Sequence, residues 1–194
     1  MKKIMITFLA VLWCSNIMAQ NNDRKGYIGL MLGPSFPYDN FSSQSNIYDD
    51  GYAKTGLNIN LLTFGYKIFN HVGITGSWLG IANPIDRMGN EGMWSVGALM
   101  AGPMYSIRVN EIFDLDIKGM YGFVLVNKQL DGYETSSANG TGYEFGMMLH
   151  YNYTKNWCLL MNFETFNTRP DIQPDIDPKI FVMNLSFGIA YRLK

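Results

Sequence analysis

From Phe181 to Leu193 every second residue is large and apolar: Phe181, Met183, Leu185, Phe187, Ile189, Tyr191 and Leu193 share one face of an extended strand. The opposite face carries Asn184, Ser186 and Arg192. The first face is too long and too apolar to meet water, and the second is too polar for a dry core. Lipid outside and a polar interior satisfy both. The same period of two, punctuated by turn residues, divides the chain from Gly26 onward into about eight segments. In the first, Ile28, Leu30 and Leu32 oppose Gly29, Met31 and Gly33; in the second, Leu57, Ile59 and Leu61 oppose Asn58 and Asn60. Val72, Ile74 and Trp78 oppose Gly73, Thr75 and Ser77, and in the next segment Trp94, Val96, Ala98 and Met100 form the apolar face against Ser95, Gly97 and Ala101. Leu115, Ile117, Tyr121 and Phe123 oppose Asp114, Asp116, Lys118 and Gly122. Tyr143, Phe145, Met147, Leu149 and Tyr151 oppose Glu144, Gly146, His150 and Asn152, and Leu159, Met161 and Phe163 oppose Asn162 and Glu164.

The connections alternate in length. Polar stretches at 37–53, 83–92, 126–140 and 167–178 are long, whereas the turns around Asn70, Asn110 and Asn156 are tight. A transmembrane barrel has this rhythm, with tight turns on the periplasmic side and longer loops outside. The predicted fold is all-β, an eight-stranded antiparallel up-and-down transmembrane β-barrel, closed so that no strand edge meets lipid. Aromatic residues near segment ends, Tyr27, Phe64, Tyr66, Trp78, Trp94, Tyr105, Tyr153, Trp157 and Tyr191, are expected in the interfacial belts.

The N-terminus supplies a route to the membrane. Lys2 and Lys3 precede an apolar run from Ile4 to Trp13, and Ala19 stands just before a plausible cut. Residues 1–19 are read as a cleaved signal peptide and 20–194 as the barrel domain. The apolar run is too short to span as a helix, which needs about 20 residues. Trp13 is too bulky for the position before a lipidated Cys14. Cleavage would remove two lysines and no acid from the 15 basic and 16 acidic residues, leaving a mildly acidic chain with no basic patch, so nucleic acid is not an expected partner. Only Cys158 remains after cleavage, so no internal disulfide can form. Charged residues make up 16% of the chain, below the roughly 25% of soluble domains. That argues against the alternative of a soluble lipocalin-type barrel with its apolar face inside and a small apolar ligand.

An eight-stranded barrel is narrow enough for its own side chains to fill, so no wide pore is expected. Asp114, Asp116, Lys118, Glu144, Glu164 and Arg192 are the charges placed in that lumen, where each must be paired or hydrated. Counting back from the turn at Thr154 to Asn156 sets Glu144 and Glu164 close together on neighbouring strands, with Lys118 as the cation between them. This lumen cluster is expected to brace the barrel. No catalytic residue, cofactor or metal is assigned. Asp171, Asp175 and Asp177 are spaced as oxygen donors for calcium could be, but prolines and acids also describe a plain solvated loop. The sequons at Asn139, Asn152 and Asn184 are read as chance matches, two of them inside predicted strands, and Cys158 as an inert small residue.

The alternating segments from Gly26 to Leu193, and the closing Phe187-Gly188-Ile189-Ala190-Tyr191-Arg192-Leu193, resemble the small outer-membrane β-barrel family of OmpA-like and OmpX/Ail-like proteins. The likeness covers the expected mature chain and is architectural. Members usually end on an aromatic residue read by the barrel-assembly machinery, whereas this chain ends Leu193-Lys194. The resemblance implies an outer-membrane location with both mature termini periplasmic, and contact with outer-membrane lipid and lipopolysaccharide. It also implies a structural or surface-interaction role, in adhesion or envelope integrity, through loops 37–53, 83–92, 126–140 and 167–178. Some barrels of this size modify lipid A, which would need a histidine with a serine and an acid near the outer rim. His71 falls in a tight turn and His150 in the half of its strand nearer the tight turns, so the chain is not read as an enzyme.

Overall fold

The computed structural model describes residues 25–44, 51–87, 90–133, 135–170 and 179–193. The proposed leader, residues 1–19, and the acids Asp171, Asp175 and Asp177 lie outside them. Eight strands follow in chain order: β1 (Gly26–Pro37), β2 (Gly56–Lys67), β3 (Val72–Arg87), β4 (Asn90–Arg108), β5 (Phe113–Leu130), β6 (Ser136–Tyr151), β7 (Trp157–Thr168) and β8 (Ile180–Leu193). Each pairs antiparallel with the next, and β8 returns to β1, from Gly26 against Leu193 to Pro37 against Val182, to close the barrel.

Local chemistry makes the tight turns. Asn110 Oδ1 accepts the backbone N–H groups of Ile112 and Phe113, each at 2.8 Å, which folds β4 back into β5. Thr154 Oγ1 accepts from Asn156 and Trp157 at 3.3 and 3.0 Å between β6 and β7. In β2 one extra residue at Leu61–Leu62 breaks the register with both neighbours. Both leucines point outward at this bulge, so the alternation changes parity and Thr63 takes the inward position.

Seven of the eight strands present the apolar face anticipated from the sequence to the outside. Ile28 and Leu32 on β1, Ile74 and Trp78 on β3, Tyr121 and Phe123 on β5, Phe145 and Met147 on β6, and Phe187 and Ile189 on β8 are all exposed. This arrangement is the reverse of a soluble carrier's, and it removes the lipocalin-type alternative. No helix among the described residues is long and apolar enough to cross a membrane. Replacing Leu185, on the outward face of β8, with Arg should cost about 2–4 kcal/mol of barrel stability in bilayers. Urea unfolding from lipid vesicles measures this, and an unchanged midpoint would remove Leu185 from the lipid face.

On β4 the expectation fails. Trp94, Val96, Ala98 and Met100 point into the barrel, each at most 4% exposed, while Leu99 and Ala101 point out. Tyr27 and Trp94, expected in the interfacial belts, are likewise inside, at 2% and 1% exposure. For Trp94 and Val96 the reason lies in strand length. Strands β3 to β6 run to 16, 19, 18 and 16 residues, against 12 to 14 for the others. A strand needs only about 9–11 residues to cross the hydrocarbon, so these four project beyond it at the end opposite the tight turns. The segments expected as loops at 83–92 and 126–140 are mostly strand: β3 runs to Arg87, β4 starts at Asn90, β5 reaches Leu130 and β6 starts at Ser136.

Along the outward face of β5 the apolar series Tyr121, Phe123, Leu125 gives way to Asn127 and Gln129, and on β6 Tyr143 gives way to Thr141, Asn139 and Ser137. The projecting part is therefore polar outside and apolar inside, like a soluble sandwich, and Trp94 and Val96 belong to its core. A face-by-face reading that assumes lipid outside throughout inverts them.

Candidate functional site: the lumen and the projecting sheet

The interior is layered from the tight-turn end. First, the Arg192 guanidinium bonds Asp114 and Asn152, and Asn152 Nδ2 donates to Asp114 Oδ2 at 3.0 Å. Next, His150 Nε2 lies 2.8 Å from Asp116 Oδ2, the Tyr27 ring packs edge-on against the imidazole with centroids 4.6 Å apart, and Cys158 Sγ lies 3.9 Å from His150 Nδ1. His71 stands apart in its turn, its Nδ1 3.0 Å from the Ser106 carbonyl oxygen.

The third layer holds the remaining charges. Lys118, Gly146, Glu164 and Asn184 form one cross-strand row over β5 to β8. The missing side chain at Gly146 is what makes the row compact, because a Cβ there would stand 2.8 Å from the Glu164 Cβ and 3.1 Å from the Lys118 Cε. Through that gap Lys118 Nζ reaches Glu164 Oε2 at 2.9 Å and Glu144 Oε1 at 3.0 Å. All three side chains are at most 2% exposed. Asn162 and Asn184 donate to Glu164, and on the far wall Ser186 donates to Asn58 Oδ1 at 2.6 Å. The six charges named from the sequence are thus all inside. They form a Lys118, Glu144, Glu164 group and an Asp114, Arg192 pair, with Asp116 paired to His150. Asn184 is buried and Asn152 is bonded to Arg192, so neither sequon offers its amide at the surface.

Above this layer the lumen turns apolar and is plugged by the β1–β2 connection. Phe41 and Tyr52 from that connection join Leu79, Trp94, Val124 and Ile180 in one buried cluster. Trp94 fixes the plug, its Nε1 donating to the Gly51 carbonyl at 2.8 Å and its ring meeting Phe41 edge-on at 5.6 Å. Glycine is required at 51, where a Cβ would fall 2.5 Å from the Phe41 carbonyl oxygen. Tyr52 adopts φ 53°, a left-handed conformation costly for a bulky residue, which its buried ring and the neighbouring Ala53–Ile85 bridge hold in place. Sequence reasoning missed this plug because 37–53 reads as polar; the signal was the inward alternation of Trp94, Val96 and Ala98, taken for a lipid face.

The plug segment also seals one flank of the projecting sheet. Lys54 N–H donates to the Pro84 carbonyl at 2.8 Å and Asp86 N–H to the Tyr52 carbonyl at 3.3 Å, covering the end of β3. The other flank differs. The β6–β7 ladder stops at Gly142 against Thr168, while β6 continues to Ser136 paired only with β5. Thr168 Oγ1 still donates to the Thr141 carbonyl at 2.8 Å and the backbone of Arg169 and Pro170 stands beside Gly140, but among the described residues Ser136 to Asn139 has no strand on its second side.

No family model matches the chain, and no curated protein does. Solved structures do. Neisserial surface protein A superposes with a TM-score of 0.64 at 12% identity, covering 87% of this chain and 97% of that one. The chain folds as a small outer-membrane barrel. OprG from Pseudomonas aeruginosa gives 0.56 at 14% identity over 89% of this barrel and 98% of its own chain. Ail, the attachment invasion locus protein of Yersinia pestis, gives 0.53 at 19% identity over 87% and 99%, and a second structure of Ail is a complex with the heparin analogue sucrose octasulfate.

Proposed function

We propose that this barrel resides in the outer membrane of a Gram-negative-type envelope and serves there as a non-enzymatic surface-interaction protein, the projecting β3–β6 sheet being its contact surface. The observation that carries this is the stretch Ser136–Asn139, which among the described residues pairs with no strand on its second side, beside the polar outward face of Asn127, Gln129, Asn139 and Thr141. Unpaired backbone donors and acceptors on a strand edge take an extended polypeptide as an added strand, with small side chains leaving room for it. The opposite flank is already closed by 51–54, so the surface is one-sided. The fold shared with Ail, which takes a heparin analogue, supports a binding role for a barrel of this shape. An adhesion role is favoured over a purely structural one because, among the described residues, no strand covers the Ser136–Asn139 edge, and such an edge is a liability unless a partner uses it.

In this reading the leader 1–19 is cleaved, residues 20–194 are inserted by the barrel-assembly machinery, and the surrounding outer leaflet is lipopolysaccharide. The tight turns and both mature termini face the periplasm. Single cysteines placed at Asp131 and Lys155 in a Cys158→Ser background test the topology with a membrane-impermeant maleimide on intact cells. The cysteine at 131 is expected to label at once and that at 155 only after the envelope is opened. The reverse pattern, or recovery of the protein in the soluble fraction, would sink the proposal.

A further inference from the structure

Basic residues gather on the inner face at the tight-turn end of the barrel. Gly65 is inward, since a Cβ there would stand 2.5 Å from the Tyr27 ring, and Tyr66 is exposed outward, so alternation returns Lys67 to the inner face. Lys25 stands two residues before the buried Tyr27 and meets Lys67 across the ladder, its carbonyl accepting the Lys67 N–H at 2.6 Å. On β4 Arg108 follows the buried Ser106 by two residues and pairs in register with Asp114, whose carboxylate is inside. Arg192 is buried at the same end, bonded to Asp114 and Asn152. Lys67 is half-buried and lies within electrostatic reach of Arg108, Arg192, Asp114 and Asp116, so these groups surround one mouth. Four bases thus face two carboxylates, and both carboxylates are taken, Asp114 by Arg192 and Asp116 by His150. Among the described residues no acid forms an ion pair with Lys25, Lys67 or Arg108, and Arg108 Nε reaches only the Asn110 carbonyl at 3.4 Å. Glu111 and Lys155, on the neighbouring turns, offset one another. The mouth therefore carries an excess of two positive charges in a chain whose net charge is −1.

We propose that this mouth is a binding site for a doubly charged phosphate group, inorganic or on a small soluble monoester, held by Lys67 and Arg108 over the Arg192 guanidinium. The ligand class follows from the donors and the charge. Ammonium and guanidinium groups are the side chains that bind phosphate oxygens best. A phosphate monoester carries close to two negative charges near neutral pH and so matches the excess, whereas a carboxylate or a phosphodiester carries one. The bases stand on the inner face, which puts a phospholipid phosphate outside the wall on the wrong side of the strands. The plug of Phe41, Tyr52 and Trp94 closes the other end, so the phosphate is held and not conducted. That the phosphate comes from the periplasm rests on the orientation proposed above; the site itself does not.

The test is the phosphorus-31 resonance of inorganic phosphate titrated against the full barrel in non-ionic detergent, at mildly alkaline pH, with chloride holding the ionic strength. The line should broaden saturably. Lys67→Met and Arg108→Gln should each weaken binding by about tenfold or more, the difference one charge-assisted hydrogen bond makes, while Lys155→Met on the outer turn leaves it unchanged. Heat-modifiable gel mobility reports whether each variant is folded, and the exposed Arg108 keeps the test open should Lys67→Met fail to fold. No orientation in a cell enters this measurement, so it stands or falls apart from the maleimide labelling. A line that stays narrow, or broadening that either folded variant retains in full, would overturn the proposal. A second series adds phosphatidylglycerol to the micelles. Broadening that persists supports a soluble phosphate, and its loss at equal lipid and phosphate would transfer the site to a lipid headgroup and overturn the assignment.

Discussion

Lys118→Ala is expected to lower barrel stability by about 3–5 kcal/mol, the cost of leaving a buried charge without its partner. The ammonium lies 2.9 Å from Glu164 and 3.0 Å from Glu144, so its removal leaves two carboxylates facing each other in a narrow enclosed layer. Part of that loss is electrostatic and part is the cavity left by the lysine stem. The two separate in the Lys118→Ala/Glu144→Gln double variant, which removes the repulsion and keeps the cavity, and which should therefore unfold later than the single variant. Urea midpoints of the wild type and the two variants, measured in the same detergent, decide it. Coincident midpoints for the single and double variants would mean that the three side chains do not act together.

Trp94→Ala should release the plug while the membrane-spanning part stays folded. The ring is 1% exposed, meets Phe41 at 5.6 Å and holds the Gly51 carbonyl through Nε1 at 2.8 Å, with Lys128 Nζ 5.0 Å from its centroid. Removal of a buried tryptophan costs about 3–5 kcal/mol. Here most of it falls on a single segment, because Phe41 and Tyr52 lose the surface that holds them. Cleavage between Phe41 and Lys54 by a soluble protease should accelerate on the order of a hundredfold or more, since local opening tracks local stability. Heat-modifiable mobility on gels should persist. Should cleavage stay as slow as in the wild type, the connection is held by something other than Trp94.

The closed barrel, its strand number and its tight turns are legible in the chain because a period of two under lipid writes the same message seven times over. The register across the turn at Thr154 to Asn156 is legible as well: a short connection leaves little freedom, and Gly146 indeed faces Glu164 while Glu144 faces Phe166. What misleads is β4. Alternation gives the two faces of a strand but not which one looks inward, and polarity decides that only when the solvent outside is known. On β4 and the upper part of β5 the solvent changes partway along the strand, so Trp94 reads as an interfacial anchor and Asn127 as a loop residue. The plug was hidden for a related reason, since Phe41 and Tyr52 are isolated among Ser, Asn and Asp and acquire a role only through the distant Trp94.

The switch from Leu125 to Asn127 on β5, and from Tyr143 to Thr141 on β6, fixes how deep the barrel sits. Sinking by one residue pair would carry amides and hydroxyls on adjacent strands into hydrocarbon, and rising by one would lift Leu125 and Tyr143 into water. Among the described residues of β1, β2, β7 and β8 no such ledge extends beyond the crossing, so the restoring force of these ledges acts on one side of the cylinder. A thicker or thinner bilayer would then be met by leaning about that side more readily than by bobbing. The angle at which the open edge of β6 is presented becomes a property of the membrane as much as of the chain.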